Sequence, residues 1–416
     1  MSGANQLALA LGLVCALATS VVPAVPAVAA PAANCAQPPQ DQATPWAQDM
    51  LNAENAWVLS RGGSRRIALL DSGVDAAQPQ LAGRVDAGFD AVTRTGKGDT
   101  DCFGTGTEVA GVMVARTSPD NGLVGIAPDA RVVPVRVVAS KGFGAPEVDP
   151  AALARGITWA VQQQVDVICI PVAIYTDDPR VATAIQDAAT AGIPVIAAVG
   201  DRGGSNDTNP PPYPASYPGV IGVGAIDAAG IRWQNSAHGG YVDISAPGAA
   251  VLTTWRGQGT VAASGTGIAA GFVAATAALV LRRWTIGPGQ VRAQLRATAL
   301  PSVAGPHSED YGAGIVNPYG AVSELASTAS PSAPPGYTPR APSRAEQDWA
   351  AAWTSSHNLA LVLGAVALGL VLLILVAAVA IPRGRRRSWR PTLAPPPVDR
   401  PEQDEPSPPV LLFDDV

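Results

Sequence analysis

Arg66-Ile67-Ala68-Leu69-Leu70-Asp71-Ser72-Gly73-Val74 opens on one arginine, runs through four apolar residues and stops at an acid followed by a turn. An apolar run this short, bounded by turn residues, reads as a buried strand, and it places Asp71 at the strand's carboxyl end. Runs of the same kind recur at 132–138, 165–172, 193–199 and 220–224, and helix-length stretches separate them at 109–115, 150–164, 180–191 and 269–284. Apolar strands alternating with helices predict the α/β class, a doubly wound parallel sheet covered on both faces. In such sheets the polar residues at the carboxyl ends of strands are the first place to seek a site.

The chain around this core has 416 residues, 47% of them hydrophobic and only 14% charged, which excludes a wholly disordered protein. With 27 basic against 33 acidic residues the formal charge is -6, which argues against a general affinity for nucleic acid or anionic lipid. Residues 7–30 are apolar and end in Ala27-Val28-Ala29, the small-x-small pattern of a secretory signal peptide, expected over 1–30. Met1 to Gln6 holds no basic residue, so either the start is displaced or the signal is atypical. Residues 359–381 carry no charge and at 1.5 Å rise span about 30 Å, the length of a transmembrane helix. Arg383, Arg385, Arg386, Arg387 and Arg390 follow, and the positive-inside rule assigns the tail at 382–416 to the cytoplasm. The expectation is a single-pass protein of the cell membrane, its main domain at 56–323 extracytoplasmic between an N-terminal extension at 31–55 and a Pro/Ser-rich linker at 324–358.

Four cysteines, Cys15, Cys35, Cys102 and Cys169, show no C-x-x-C spacing. In an oxidising compartment Cys35 and Cys102 could pair, whereas Cys169 lies in an apolar run and reads as a buried thiol. No Asp/Glu/His cluster has metal-ligand spacing, so no metal or cofactor is expected, although calcium stays open. Gly265-Thr266-Gly267-Ile268-Ala269-Ala270 matches a dinucleotide fingerprint superficially, but Arg282-Arg283-Trp284 stands where the acid-terminated second strand should follow.

Several motifs taken together resemble one family. Ala68-Leu69-Leu70-Asp71-Ser72-Gly73-Val74 is similar to the first motif of the subtilisin-like serine proteases (peptidase S8), in which the acid orients the catalytic imidazole. Gly106-Thr107-Glu108-Val109-Ala110-Gly111 looks like the segment after their histidine. Gly125-Ile126-Ala127-Pro128 with Val135-Arg136-Val137, and Val242-Asp243-Ile244-Ser245-Ala246-Pro247-Gly248, resemble later stretches, and Ser264-Gly265-Thr266 resembles the approach to the nucleophile. The order is consistent over about residues 45 to 323. Asp101-Cys102 ahead of the G-T segment, the run Tyr311-Gly312-x-Gly314-x-Val316-Asn317-Pro318-Tyr319 and the signal, linker and terminal helix narrow the resemblance to the mycosins of type VII secretion. It implies a subtilisin-like fold and a partner in the type VII secretion membrane complex.

The resemblance breaks at the chemistry. Aligning the family's H-G-T puts Thr105 in place of histidine, and aligning G-T-S-x-A-A-P puts Gly267 at the nucleophile and Gly271 at the proline. Asp201, after the strand at 193–199, replaces the family's oxyanion-binding Asn; as a carboxylate it accepts hydrogen bonds where a donor is needed. Asp71 is the retained triad acid. Threonine has no nitrogen base and glycine nothing to acylate, so acyl transfer loses its base and its nucleophile. Of the three histidines, His307 and His357 read as solvated or interfacial and His238 as a surface-loop residue. Glu108 is expected to point off its helix into solvent, Asp71 to accept structural hydrogen bonds, with Thr105 as one candidate donor, and Ser72, Ser264 and Thr266 to serve turns and helix caps. The reading is a proteolytically inactive scaffold or interaction subunit. The alternatives are an active serine endopeptidase with an unconventional site, or a protein that binds a peptide ligand without cutting it.

Overall fold

The computed structural model describes residues 44–118, 121–139, 147–204 and 209–326, together with 367–371, 374, 376, 378 and 381–383. The expected signal peptide, Cys15, Cys35, His357, nearly all of the expected linker and most of the expected tail lie outside the described residues. The chain divides into two compact units, Met1–Pro331 and Ser332–Val416. In the second, the described residues of 367–383 are helical.

In the first unit α1 (Trp46–Leu51) and α2 (Ala53–Trp57) lead into β1 (Arg66–Asp71), β2 (Phe89–Asp90), α3 (Thr105–Val114), β3 (Arg131–Arg136), β4 (Val138–Ala139), β5 (Glu147–Val148) and α4 (Pro150–Gln162). There follow β6 (Val167–Ile170), α5 (Pro179–Thr190), β7 (Val195–Ala198), β8 (Ile221–Ile226), β9 (Ile244–Pro247), β10 (Val251–Thr254), β11 (Thr260–Ala263), α6 (Thr266–Arg283), α7 (Pro288–Ala297) and α8 (Pro318–Ser323). Seven strands form one sheet in the order β2-β3-β1-β6-β7-β8-β9, and every pairing in it is parallel. The expected α/β architecture is present.

Strand periodicity explains how helices cover both faces. Successive side chains of a strand point to opposite sides. Ile67 and Leu69 of β1 accordingly join the core under α3 and α6, while Ala68 and Leu70 join the one under α4 and α5. In β6 the same alternation sends Val167 and Cys169 one way and Ile168 and Ile170 the other. Cys169 is a buried free thiol, as expected. The central element is α6, apolar on every side and buried along most of its length. By length and composition it alone among the described helices could cross a membrane, but 78% of its apolar window is packed inside the domain.

Two helices start earlier than the sequence suggested. α3 begins at Thr105 and not at 109, because a buried acid binds its first turn, and α6 begins at Thr266 and not at 269, because a carboxylate from another loop receives its first N–H. The antiparallel β10–β11 hairpin, α7 and α8 carry no strong apolar period and escape a sequence reading.

Candidate functional site

The loops after β1, β6 and β7 emerge at one edge of the sheet, where α3 and α6 begin. Asp71 ends β1 and is 2% exposed. Thr105, the first residue of α3, donates from Oγ1 to Asp71 Oδ1 at 2.6 Å, and the Ser72 backbone N–H donates to the same oxygen at 2.6 Å. Ser72 Oγ donates to Asp101 Oδ1 at 2.8 Å, lies 2.9 Å from Thr105 Oγ1 and accepts from Gly106 N at 3.1 Å. Ser72 therefore links two acids across β1 and α3, which goes beyond the turn role expected for it.

Asp101 entered the sequence reading only as a family signature, and its role in holding this corner was missed. It is 7% exposed and accepts from Phe103 N and Gly104 N through Oδ1 and from Thr107 N and Thr107 Oγ1 through Oδ2. Its signal was there to see: an acid three residues ahead of a G-T-G-T segment is placed to satisfy the orphan N–H groups of a helix start.

Burial governs the protons in this cluster. Desolvation pushes the Asp71 carboxyl from 3.8 to about 7, against the hydrogen bonds from Thr105 and Ser72 and with the help of the Asp101 charge. Glu108 corrects an expectation: it does not stand clear of the helix in solvent but is half-buried. Burial first, then the charges of Asp101 and Asp71, push it from 4.5 to about 8. The contacts of this cluster are one proton short when Asp71 and Asp101 are both ionised. When Asp71 is ionised, Thr105 donates to it and Ser72 donates to Asp101, which leaves the 2.9 Å Ser72–Thr105 approach without a proton. A protonated Asp71 completes the chain, donating to Thr105, which donates to Ser72, which donates to Asp101.

The second part of the site lies where α6 starts, over the ends of β6 and β7. Asp201 Oδ1 accepts from the Thr266 N–H at 2.9 Å and from Thr266 Oγ1 at 2.7 Å, and Gly200 N donates to Thr266 Oγ1 at 3.0 Å. The Asp201 residue keeps an exposed outer edge, whereas the Oδ1 contacts are part-buried. Desolvation of that inner oxygen raises its pKa and the Thr266 bonds oppose the rise. The cap of α6 is thus Asp201, reaching in from the loop after β7. Thr266 and Ser264 do not cap the helix, and Ser264 Oγ instead accepts from Ala250 N at 2.8 Å.

Gly267 sits in the first turn of α6. A Cβ built there would lie 2.6 Å from the Pro171 carbonyl oxygen and 3.0 Å from Pro171 Cβ, so backbone occupies the room a side chain needs. One turn on, a Cβ at Gly271 would lie 2.9 Å from both Val109 Cγ1 and Val112 Cγ2, so its absence lets α3 and α6 approach closely. The structure joins Asp71 to Thr105 and Asp201 to Thr266. Among the described residues no hydrogen bond links these two pairs, and neither His238 nor His307 bonds to any of the four positions. His238 is half-buried, and its carbonyl accepts from Tyr241. No group of described His, Cys, Asp or Glu residues forms a metal-binding set.

A doubly wound parallel sheet, with an acid ending its first strand and a long buried helix starting beside the loops of two neighbours, defines a subtilisin-like α/β domain. The chain belongs to the Subtilase family, which it matches over residues 62–321. It is 35% identical over 259 residues to subtilisin of Bacillus pumilus, an alignment covering 62% of this chain and 90% of that protein. Among solved structures it is similar to MycP1, a serine protease described as an essential component of the type VII (ESX-1) secretion system, with 30% identity, a TM-score of 0.61 and coverage of 70% of this chain and 92% of that one. The MycP3 protease of the type VII (ESX-3) system is similar at 28% identity and a TM-score of 0.58, covering 70% of this chain and 91% of that one. The mycosin resemblance drawn from the sequence is therefore present in the fold.

Proposed function

We propose that this protein is a mycosin-like subtilase that no longer cuts peptide bonds and serves type VII secretion as a scaffold or interaction subunit. One observation carries the reading. At Gly267, where the family alignment calls for the nucleophile, the Pro171 carbonyl lies 2.6 Å from the site a Cβ would take. The missing serine is thus matched by a backbone that leaves a Cβ there too little room. Thr105 in place of an imidazole and Asp201 in place of an amide donor support the same conclusion, since one offers no base at neutral pH and the other holds the N–H of Thr266 for itself. Losing the nucleophile or base of a triad removes on the order of a millionfold in rate, and such losses do not add because the members act as a unit.

The proposal includes a signal peptide at 1–30, a membrane helix at 359–381 and a cytoplasmic tail at 382–416, with the subtilase domain outside the membrane. Its support is the apolar run, the arginines that follow it and the helical conformation of the described residues within 367–383. Pairing of Cys102 with Cys35 belongs to the same proposal: Cys102 is not a free thiol. The partner would be the type VII membrane complex, on the strength of what MycP1 and MycP3 are described as serving.

The purified full chain is expected neither to react with a serine-directed fluorophosphonate nor to hydrolyse a broad peptide library. Hydrolysis abolished by Asp71→Ala would replace this reading with that of an endopeptidase using an unconventional site. Peptide binding without turnover, read by calorimetry, would favour a capture function.

A further inference from the structure

The face formed by α2 and α8 carries apolar surface that the fold leaves uncovered. Val58, directly after α2, is 87% exposed, and Tyr319 in the first turn of α8 is 47% exposed. With Leu59 they line a shallow cleft of about 420 Å³. An adjoining cleft of about 510 Å³ shares Val58 and Leu59 and adds Trp57, with Arg61, Arg282 and Arg283 facing the single acid Asp129. Arg61 is already bonded to Asp129 at 2.7 Å. Arg282 and Arg283 are exposed at the end of α6, and among the described residues neither has an ion-pair partner. Acids stand nearby as well: Glu54 lines a separate cleft that shares Trp57, and Glu324 is exposed beside Leu325.

The chain also leaves the domain at this face. Gln294 donates from Nε2 to the carbonyls of Ala321 and Glu324 at 2.9 and 2.6 Å and accepts from Ala326 N at 2.7 Å, which fixes residues 324–326 on α7 directly after α8. Leu325, in that fixed exit, is 47% exposed. From there the sequence runs toward the apolar stretch at 359–381.

We propose that this face docks on an anionic lipid surface, with Val58, Leu59 and Tyr319 entering the headgroup region and Arg282 and Arg283 binding lipid phosphates. The proposal uses the membrane-anchor reading above for one thing, the tether. A tether holds the face at high effective concentration beside lipid, so a patch too small for a stable protein interface is sufficient. Tyrosine and tryptophan beside aliphatic residues suit the half-apolar, half-wet interface, and guanidinium matches phosphate geometry. Each arginine near an anionic surface contributes about fivefold in binding, and this contribution is screened by salt.

The test is hydrogen exchange of the full chain in nanodiscs of phosphatidylcholine with or without phosphatidylglycerol. Exchange over 53–60 and 318–325 is expected to slow by about fivefold or more when phosphatidylglycerol is present. The slowing should vanish in 0.5 M salt and in the Arg282→Glu/Arg283→Glu double variant, whose fold is checked by unchanged protection of α6. Equal exchange in the two lipids overturns the proposal. Protection found only in native membranes, and not in protein-free anionic lipid, overturns it in favour of a protein occupant. Co-fractionation with discs reads the anchor separately. If the chain does not insert, flotation of the same protein on phosphatidylglycerol vesicles reads the patch: flotation lost in the double variant supports the proposal, and no flotation overturns it.

Discussion

Asp201 Oδ1 and Thr266 meet twice, through the Thr266 backbone N–H at 2.9 Å and its hydroxyl at 2.7 Å. A carboxylate from the loop after β7 thus sits at the positive end of α6, where the aligned peptide dipoles favour negative charge.

Asp201→Ala removes that cap and should lower stability by about 1 to 2 kcal/mol, read as a shift in the denaturant midpoint with unchanged slope. Asp201→Asn keeps an acceptor but loses the charge and should cost less, about 0.5 kcal/mol. Equal stability of all three proteins would mean that the Thr266 contacts carry no net energy.

Stability should fall as pH rises from about 4 to about 8. An Asp71 carboxyl near 3.8 in the unfolded chain and about 7 in the fold means that the folded state holds the extra proton between those values. The resulting stabilisation is complete below the unfolded pKa and is lost as pH climbs through 7, by on the order of 4 kcal/mol at most. Glu108, raised to about 8, acts in the same direction. Chemical denaturation at pH 5 and pH 8.5 measures this, and Asp71→Asn should flatten the dependence, gaining most relative to wild type at the higher pH. A wild type more stable at pH 8.5 than at pH 5 would contradict the assignment.

Restoring the family residues should not restore the enzyme. Gly267→Ser must move Pro171 and is expected to destabilise by about 1 to 3 kcal/mol. The triple change Thr105→His, Asp201→Asn, Gly267→Ser is expected to remain unlabelled by fluorophosphonate. Labelling above the single-variant background would show that the backbone yields more readily than the 2.6 Å approach implies.

Cys169 is fully buried, and desolvation, with the Asp71 charge beside it, holds its thiol far above the usual range. It should resist iodoacetamide in the native protein at pH 8 and react fully in denaturant, with modification followed by mass spectrometry.

The sheet was legible because each of its buried strands combines an unbroken apolar run with a turn at its end, and β1 through Asp71 is the clearest case. The α3 start was misplaced because Thr105, Gly106 and Thr107 are poor helix formers that become helical only when Asp101 binds the Thr107 N–H and Ser72 Oγ binds that of Gly106. The Asp101 contact spans few residues, but it depends on β1 holding Ser72 against the same acid. Glu108 was misread because the sequence does not show which way a helix face turns, and its burial is set by surroundings beyond α3 itself. The residues that the family alignment puts at 105, 201 and 267 were visible as letters. That backbone fills the space at Gly267, and that Asp201 caps a helix, required coordinates.

The Pro171–Gly267 approach also bears on descent. On the inactive reading proposed above, a gene that acquired serine at 267 would first meet a folding penalty, with histidine and asparagine still absent and no turnover to offset it. On that reading the first step toward catalysis is uphill, and the chain behaves as a ratchet: selection can refine its surface, while stepwise change toward peptide-bond chemistry is opposed.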